Sequence, residues 1–128
     1  MLDDKVIITC ALLGGETNRS QTPYVPITPQ EITDEAVAAY EAGAAVVHIH
    51  VRDDAGKNSM DFARFKYVVE NVRKRCNIVI NLTSACFATS IAERIRPFAE
   101  LTPELASLDA GTMNWAYKTV FDNTPEFL

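Results

Sequence analysis

The sequence predicts an α/β fold with a parallel sheet, assembled from repeated strand–helix units. Three observations carry this expectation. Apolar runs of strand length recur at residues 6–13, 44–51, 77–84 and 104–111. Segments with helical periodicity or helix-capping residues lie between them. Each repeat takes about 30 residues, the size of a βα unit. Continuous apolar runs fit strands buried on both faces, as in parallel sheets, with right-handed crossovers between them.

The first strand, residues 6–13, is broken by Gly14-Gly15, and a polar, proline-bearing loop follows over residues 16–26. "TPQEITDEAVAAYEAG" then carries a helix signature. Thr28 is placed to cap the N-terminus, Pro29 occupies the first helical position, and Glu31 completes a capping box. Gly43 marks the end, and Ile32, Ala36, Ala39 and Tyr40 share one face. Residues 44–51 form the second strand, followed by the turn "RDDAGK". Phe65, Val68, Val69 and Val72 recur at helical period in residues 62–75. "NIVINLTS" is a third buried strand, residues 89–98 a weaker helix closed by Pro97, and "ELASLDAG" a fourth strand. Residues 113–128 read as a loop entering another helix.

This order fits two architectures: a small doubly wound sheet, or half of a (β/α)8 barrel. A full barrel takes about 250 residues, and this chain has 128, with no closing strand at its end. Four βα units in one domain, residues 1–128 without an internal boundary, are expected.

Composition narrows the function classes. The chain is 48% hydrophobic and 23% charged, as soluble globular proteins are. A net charge of -5 argues against a nucleic-acid partner, which needs a basic face. Cys10, Cys76 and Cys86 are odd in number and scattered, which argues against a disulfide framework and for a reducing cytoplasm. The first apolar run is short and fronted by Asp3 and Asp4, so it reads as a strand, not a signal peptide. No segment approaches the length of a membrane span.

"AAVVHIHVRD" holds the only two histidines of the chain. Residues i and i+2 of a strand point to one side, so His48 and His50 project together and Ile49 faces away. They sit at the C-terminal end of a strand, where parallel α/β folds place their ligand sites. Paired imidazoles favour zinc, iron or nickel. The plainer alternative is one packed and one surface histidine. A catalytic zinc usually takes three protein ligands, so the neighbouring strand ends matter. They carry Glu16; Asn81, Thr83 and Ser84; and Ser107, Asp109, Thr112 and Asn114. Loops are polar in any case. Asn81, Thr83, Ser107 and Asp109 stand out, because strand interiors avoid such residues unless they have a partner. Arg52, with Asp53 and Asp54, either pins its loop by ion pairs or holds a carboxylate. Cys86 reads as a small buried residue in preference to a nucleophile. Trp115 and Tyr117 read as packing or pocket wall. "GGETNRS" lacks the pattern of a phosphate loop.

The segments "VIITCALLGGE", "PITPQEI", "EAGAAVVHIHVRD", "INLTS" and "ELASLDAGTMNW" occur in an order and spacing that resemble the β-keto acid cleavage enzymes. The resemblance implies a (β/α)8 barrel with a divalent metal, usually zinc, on His48 and His50. It implies that a 3-keto acid and acetyl-CoA give a new acyl-CoA and acetoacetate by retro-Claisen cleavage, with the metal as Lewis acid. By position, Glu16 would hold the substrate, in some members through its amino group, and Thr83 would supply a substrate-binding hydroxyl. Cys86 falls where a glycine usually offers a backbone contact, and Ser107 where a Thr or Ser lines the pocket. Ser84, Asp109 and Arg52 are further candidates. Two departures are visible: Ala85-Cys86 replaces a glycine pair, and Asp109 replaces a common Asn. The family's third metal ligand, a glutamate, and its catalytic Arg and Asp come from late in the barrel, beyond these 128 residues. An N-terminal piece of a longer protein, or a half-barrel, is therefore expected. Its open edges at residues 6–12 and 105–109 would call for a second polypeptide or another copy of the chain. Two other readings compete. An amidohydrolase-like HxH hydrolase would need further histidines, and a flavodoxin-like binding module would need no metal.

Overall fold

The computed structural model describes residues 5–128. Asp3 and Asp4 lie outside the described residues. Four parallel strands form the main sheet: β1 (Thr9–Ala11), β2 (Val46–Ile49), β5 (Val79–Leu82) and β6 (Leu105–Ala106), in the order β1-β2-β5-β6. Helices α1 (Pro29–Glu41), α2 (Phe62–Arg75) and α3 (Ile91–Leu101) connect them. Two antiparallel hairpins complete the fold, β3 (Val51–Arg52) with β4 (Asn58–Ser59), and β7 (Met113–Trp115) with β8 (Thr119–Phe121).

Register decides which side chains share a face. Ala11 pairs with His48, His48 with Asn81, and Asn81 with Leu105. These four therefore lie on one face, and Val47, Ile49, Ile80 and Leu82 lie on the other. That second face is fully buried against Ile32 and Ala36 of α1 and Phe65, Val68 and Val72 of α2. The first face is open: Ala11 and Leu105 are exposed, and His48 and Asn81 are half-buried. A doubly wound sheet carries helices on both faces. Here the strand order is sequential, and α1 and α2 pack on the same face.

The capping residues act as their positions predict. Thr28 Oγ1 accepts from Glu31 N at 3.2 Å, and Glu31 Oε2 accepts from the amides of Thr28 and Ile27 at 2.9 Å. Those two amides hold the Glu31 carboxyl down to about 2. Beyond α1, Gly43 takes a φ of 99°, which L side chains rarely adopt. Asp53 Oδ1 accepts from Ala55 N and Lys57 N and closes the turn between β3 and β4, with Gly56 at φ 75°.

The structure corrects the sequence reading in four places. The first strand pairs only over Thr9–Ala11, and Val6 and Ile7 are 83% and 77% exposed, not buried on both faces. β1 has a neighbour on one side only, and its outer face has no cover among the described residues. The fourth strand is two residues long and exposed, so Ser107 and Asp109 lie in the loop after it. Pro97 does not close the third helix. It is buried inside α3, which runs on to Leu101, where Arg73 donates to the carbonyls of Leu101 and Thr102 at 2.9 Å. Finally, residues 113–121 form the β7–β8 hairpin instead of entering a helix. Asn114 Oδ1 accepts from Tyr117 N at 2.6 Å, and Ala116 and Tyr117 turn the chain at φ 53° and 59°. Among the described residues, no helix is long and apolar enough to cross a membrane.

Candidate functional site

His48 is the third residue of β2, and His50 follows the strand's last residue. The strand period places the two rings together, with centroids 5.0 Å apart and planes at 77°. Each ring is held by an asparagine. His48 Nδ1 lies 3.2 Å from Asn81 Oδ1, on the neighbouring strand at the same register. His50 Nδ1 lies 3.4 Å from Asn58 Oδ1. The Asn58 amide nitrogen donates to the Ala85 carbonyl at 2.8 Å, which turns its oxygen towards His50. An amide oxygen only accepts, so each Nδ1 donates its proton and each Nε2 keeps a free lone pair. Burial, with help from His48, pulls the His50 pKa down to about 4, against a weaker upward pull from Asn58. The ring is neutral at pH 7.

This donor set fits a divalent metal. Metal-binding imidazoles are neutral, and their second nitrogen is usually hydrogen-bonded by the protein. The centre is not closed by this pair alone. Among the described residues, no third His, Cys, Asp or Glu joins the two histidines in a metal-sized group.

A small concavity of about 40 Å³ opens beside His50, lined by Gly15, Glu16, Asn58, Ala85, Cys86, Phe87, Trp115 and Phe121. Of the residues singled out in the sequence, Glu16, His50, Cys86 and Trp115 thus meet at one cavity. Thr83 and Ser84 are buried in the preceding loop and do not line it. Thr83 Oγ1 accepts from Ala85 N at 3.0 Å, which leaves its own proton free to donate, and Ser84 Oγ has no partner. Ser107 and Asp109 are half-buried after β6 and also stand away from this lining.

Arg52 pins its loop, through backbone carbonyls in place of the expected ion pairs. It is 2% exposed, and its guanidinium donates to the carbonyls of Gly56 and Thr17, both at 2.8 Å, and of Gly14. It ties the loop carrying Glu16 to the β3–β4 turn, and its Nε is left without a partner. Asp54 pairs with Arg64 instead.

Four residues at or behind the site were not anticipated. Asn58 reaches His50 only because the β3–β4 hairpin folds back, and the turn residues Asp53 and Gly56 are the signal for that. Phe121 and Phe87 join Trp115 through a hairpin whose pattern was misread. Arg94, buried in α3, donates to Ser84 O at 2.7 Å, Asp122 O at 3.0 Å and Asn123 Oδ1 at 2.6 Å. It binds the loop after β5 to the segment after β8.

A profile of the β-keto acid cleavage enzymes matches residues 5–128. The chain belongs to the β-keto acid cleavage enzyme family. It is 42% identical over 123 residues to a 3-keto-5-aminohexanoate cleavage enzyme of Fusobacterium nucleatum, covering 94% of this chain and 45% of that one. It is 41% identical over 124 residues to a 3,5-dioxohexanoate:acetyl-CoA acetone transferase of Paraburkholderia graminis, covering 95% of this chain and 40% of that one. The chain thus spans less than half the length of the curated relatives it matches. Among solved structures, ObcA in a ternary complex with a C4-CoA adduct and oxalate superposes with a TM-score of 0.72 at 28% identity, over 82% of this chain and 27% of ObcA. The motifs quoted from the sequence thus identify a family of β-keto acid cleavage enzymes and acetyl-CoA-dependent transferases.

Proposed function

We propose that this chain supplies the two-histidine part of a divalent metal centre, with zinc the leading candidate, in a (β/α)8 barrel. That barrel converts a 3-keto acid and acetyl-CoA into an acyl-CoA and acetoacetate. The observation that carries the reading is the pair His48 and His50, each with Nδ1 bonded to an asparagine and Nε2 free. The names of the relatives, which include acetyl-CoA transferases acting on keto acids, support the chemistry.

When bound, the metal supplies Lewis-acid polarisation of a substrate carbonyl. The protein's own groups do the rest. Asn81 and Asn58 fix the orientation of the imidazoles. Glu16, on the cavity lining, contacts the substrate, and Cys86 lines its path. Thr83 donates its free hydroxyl proton once the substrate reaches the loop, and Ser107 lines the approach on the β6 side. Arg52 and Arg94 hold the two loops that carry these groups. Further ligands and the catalytic base come from outside this set, from more of the polypeptide, a complementary chain or a second copy.

Elemental analysis and zinc titration of the purified protein test the metal assignment. The wild type is expected to hold zinc, and His48→Ala and His50→Ala are expected to lose it with unchanged circular dichroism. Stoichiometric zinc retained by His48→Ala would refute the ligand pair. Acetoacetate formation from acetyl-CoA and a panel of 3-keto acids tests the reaction.

A further inference from the structure

We infer that Arg94 is a positioning residue for the metal ligand His50: it holds the loop after β5 where Asn58 can fix the His50 ring. The inference rests on the reading of His48 and His50 as metal ligands and adds a remote residue that acts on one of them alone.

Arg94 is 4% exposed, and each nitrogen of its guanidinium has an acceptor. Nε donates to Ser84 O at 2.7 Å, Nη1 to Asp122 O at 3.0 Å and Nη2 to Asn123 Oδ1 at 2.6 Å. The same group lies 4.8 Å from the ring centroid of Phe121 and 4.0 Å from that of Phe127. Asn123 is buried and itself tied down. Its backbone amide donates to Thr112 Oγ1 at 3.0 Å and its side chain to Gly111 O at 3.4 Å. Arg94 therefore fastens Ser84 to a fixed point.

That fastening reaches the histidine. Among the described residues, two hydrogen bonds arrive at loop 84–89 from other elements: Arg94 to Ser84 O, and Asn58 Nδ2 to Ala85 O at 2.8 Å. They land on consecutive carbonyls. The peptide between Ser84 and Ala85 is planar, so a shift of one carbonyl carries the other with it. The Asn58 bond in turn aims Asn58 Oδ1 at His50 Nδ1, 3.4 Å away. Freed from Arg94, the loop moves Ala85 O, and Asn58 either follows it or lets go; both change the partner of His50. His48 takes a different route. Its partner Asn81 sits at the same register on the neighbouring strand, held by the sheet. Arg94 thus reaches one ligand and not the other, which a general loss of stability would not do.

The test uses two readouts: zinc affinity by chelator competition, and the NMR signals of the two imidazoles with and without zinc. Arg94→Lys keeps the charge but presents its donors from one nitrogen, which cannot span three separate acceptors. It is expected to weaken zinc binding about tenfold and to shift the imidazole signals of His50 while leaving those of His48 in place. In an Asn58→Ala background, where the link to His50 is already cut, Arg94→Lys is expected to weaken zinc no further. Asn123→Ala removes one of the three acceptors and is expected to act in the same direction, which keeps the test open if Arg94→Lys does not fold. Wild-type zinc affinity in the folded variants, equal shifts at both histidines, or a loss that adds in full to that of Asn58→Ala overturns the proposal and leaves the metal assignment standing. If the wild type takes up no zinc, the metal reading fails, and the imidazole signals of metal-free Arg94→Lys still decide whether Arg94 sets the His50 ring.

Discussion

Asn58 and Asn81 decide which nitrogen of each histidine is left free, and their loss can be measured separately from loss of the ligands. Asn58→Ala is expected to weaken zinc binding by about 10- to 100-fold without abolishing it, the usual cost of removing an outer partner. Competition with a chelator of known affinity measures this, and zinc affinity equal to wild type would show that Asn58 does not orient His50. Arg52 gives a stability prediction. Arg52→Met keeps much of the buried volume but leaves the carbonyls of Gly14, Thr17 and Gly56 without that donor. A loss of about 3 to 5 kcal/mol is expected in urea denaturation, as for other buried polar networks broken on one side. The histidine pair was legible in the sequence because the strand period of two is a local rule. Asn58 was not, because it reaches His50 through a hairpin pairing between residues 51–52 and 58–59. The partners of Arg52 were misread for a related reason. Sequence shows a charged side chain, and only the fold shows three carbonyls converging on it.

The helices test how capping chemistry sets element boundaries. Thr28→Ala removes the side-chain acceptor for Glu31 N and is expected to cost about 1 kcal/mol in thermal or urea unfolding. Glu31 adds a pH dependence whose sign follows from its lowered value of about 2 against an ordinary 4.5. The folded state prefers the carboxylate, so this contribution is complete above pH 4.5 and is lost as the pH falls towards 2. Comparing wild type with Glu31→Gln across that range isolates it, and identical acid profiles would remove Glu31 as the cause. The first two helices were readable because a capping box and four buried residues at helical spacing act within one turn or two. The hairpin was not. "MNWAYKTVF" carries no Asn-Gly or Asp-Gly signal, and its turn uses Ala116 and Tyr117 in a conformation that glycine and asparagine favour. The last strand was overextended because apolar residues at 105 and 108 suggested burial that the fold does not give them.

At the scale of the molecule, the sheet presents one covered face and one open face, with β1 and β6 as its outer strands. Unpaired edges, and an exposed leucine on the open face, favour association. Leu105, 46% exposed on that face beside Asn81, is the residue to change. Leu105→Lys is expected to shift the purified chain towards monomer in sedimentation velocity. Sedimentation unaltered by the lysine would exclude this face as the contact. The alternation of the four parallel strands with three helices was legible in the sequence, since each βα unit repeats at fixed length, but the two hairpins were not. Whether those strands curve into a barrel sector or a flat doubly wound sheet was not legible. That choice depends on which side of the sheet each helix packs, and apolar runs do not encode it.

Arg94 has a bearing on how far the polypeptide tolerates trimming. A version cut back to residue 120 would retain all four parallel strands and all three helices. It would also leave a guanidinium in the interior with one acceptor out of three, and strip Phe121 from beneath it. The final eight residues, which contribute nothing to the parallel sheet, are thus a keystone for the loop beside the histidines. Expression boundaries drawn from the sheet and helices alone would dislodge it.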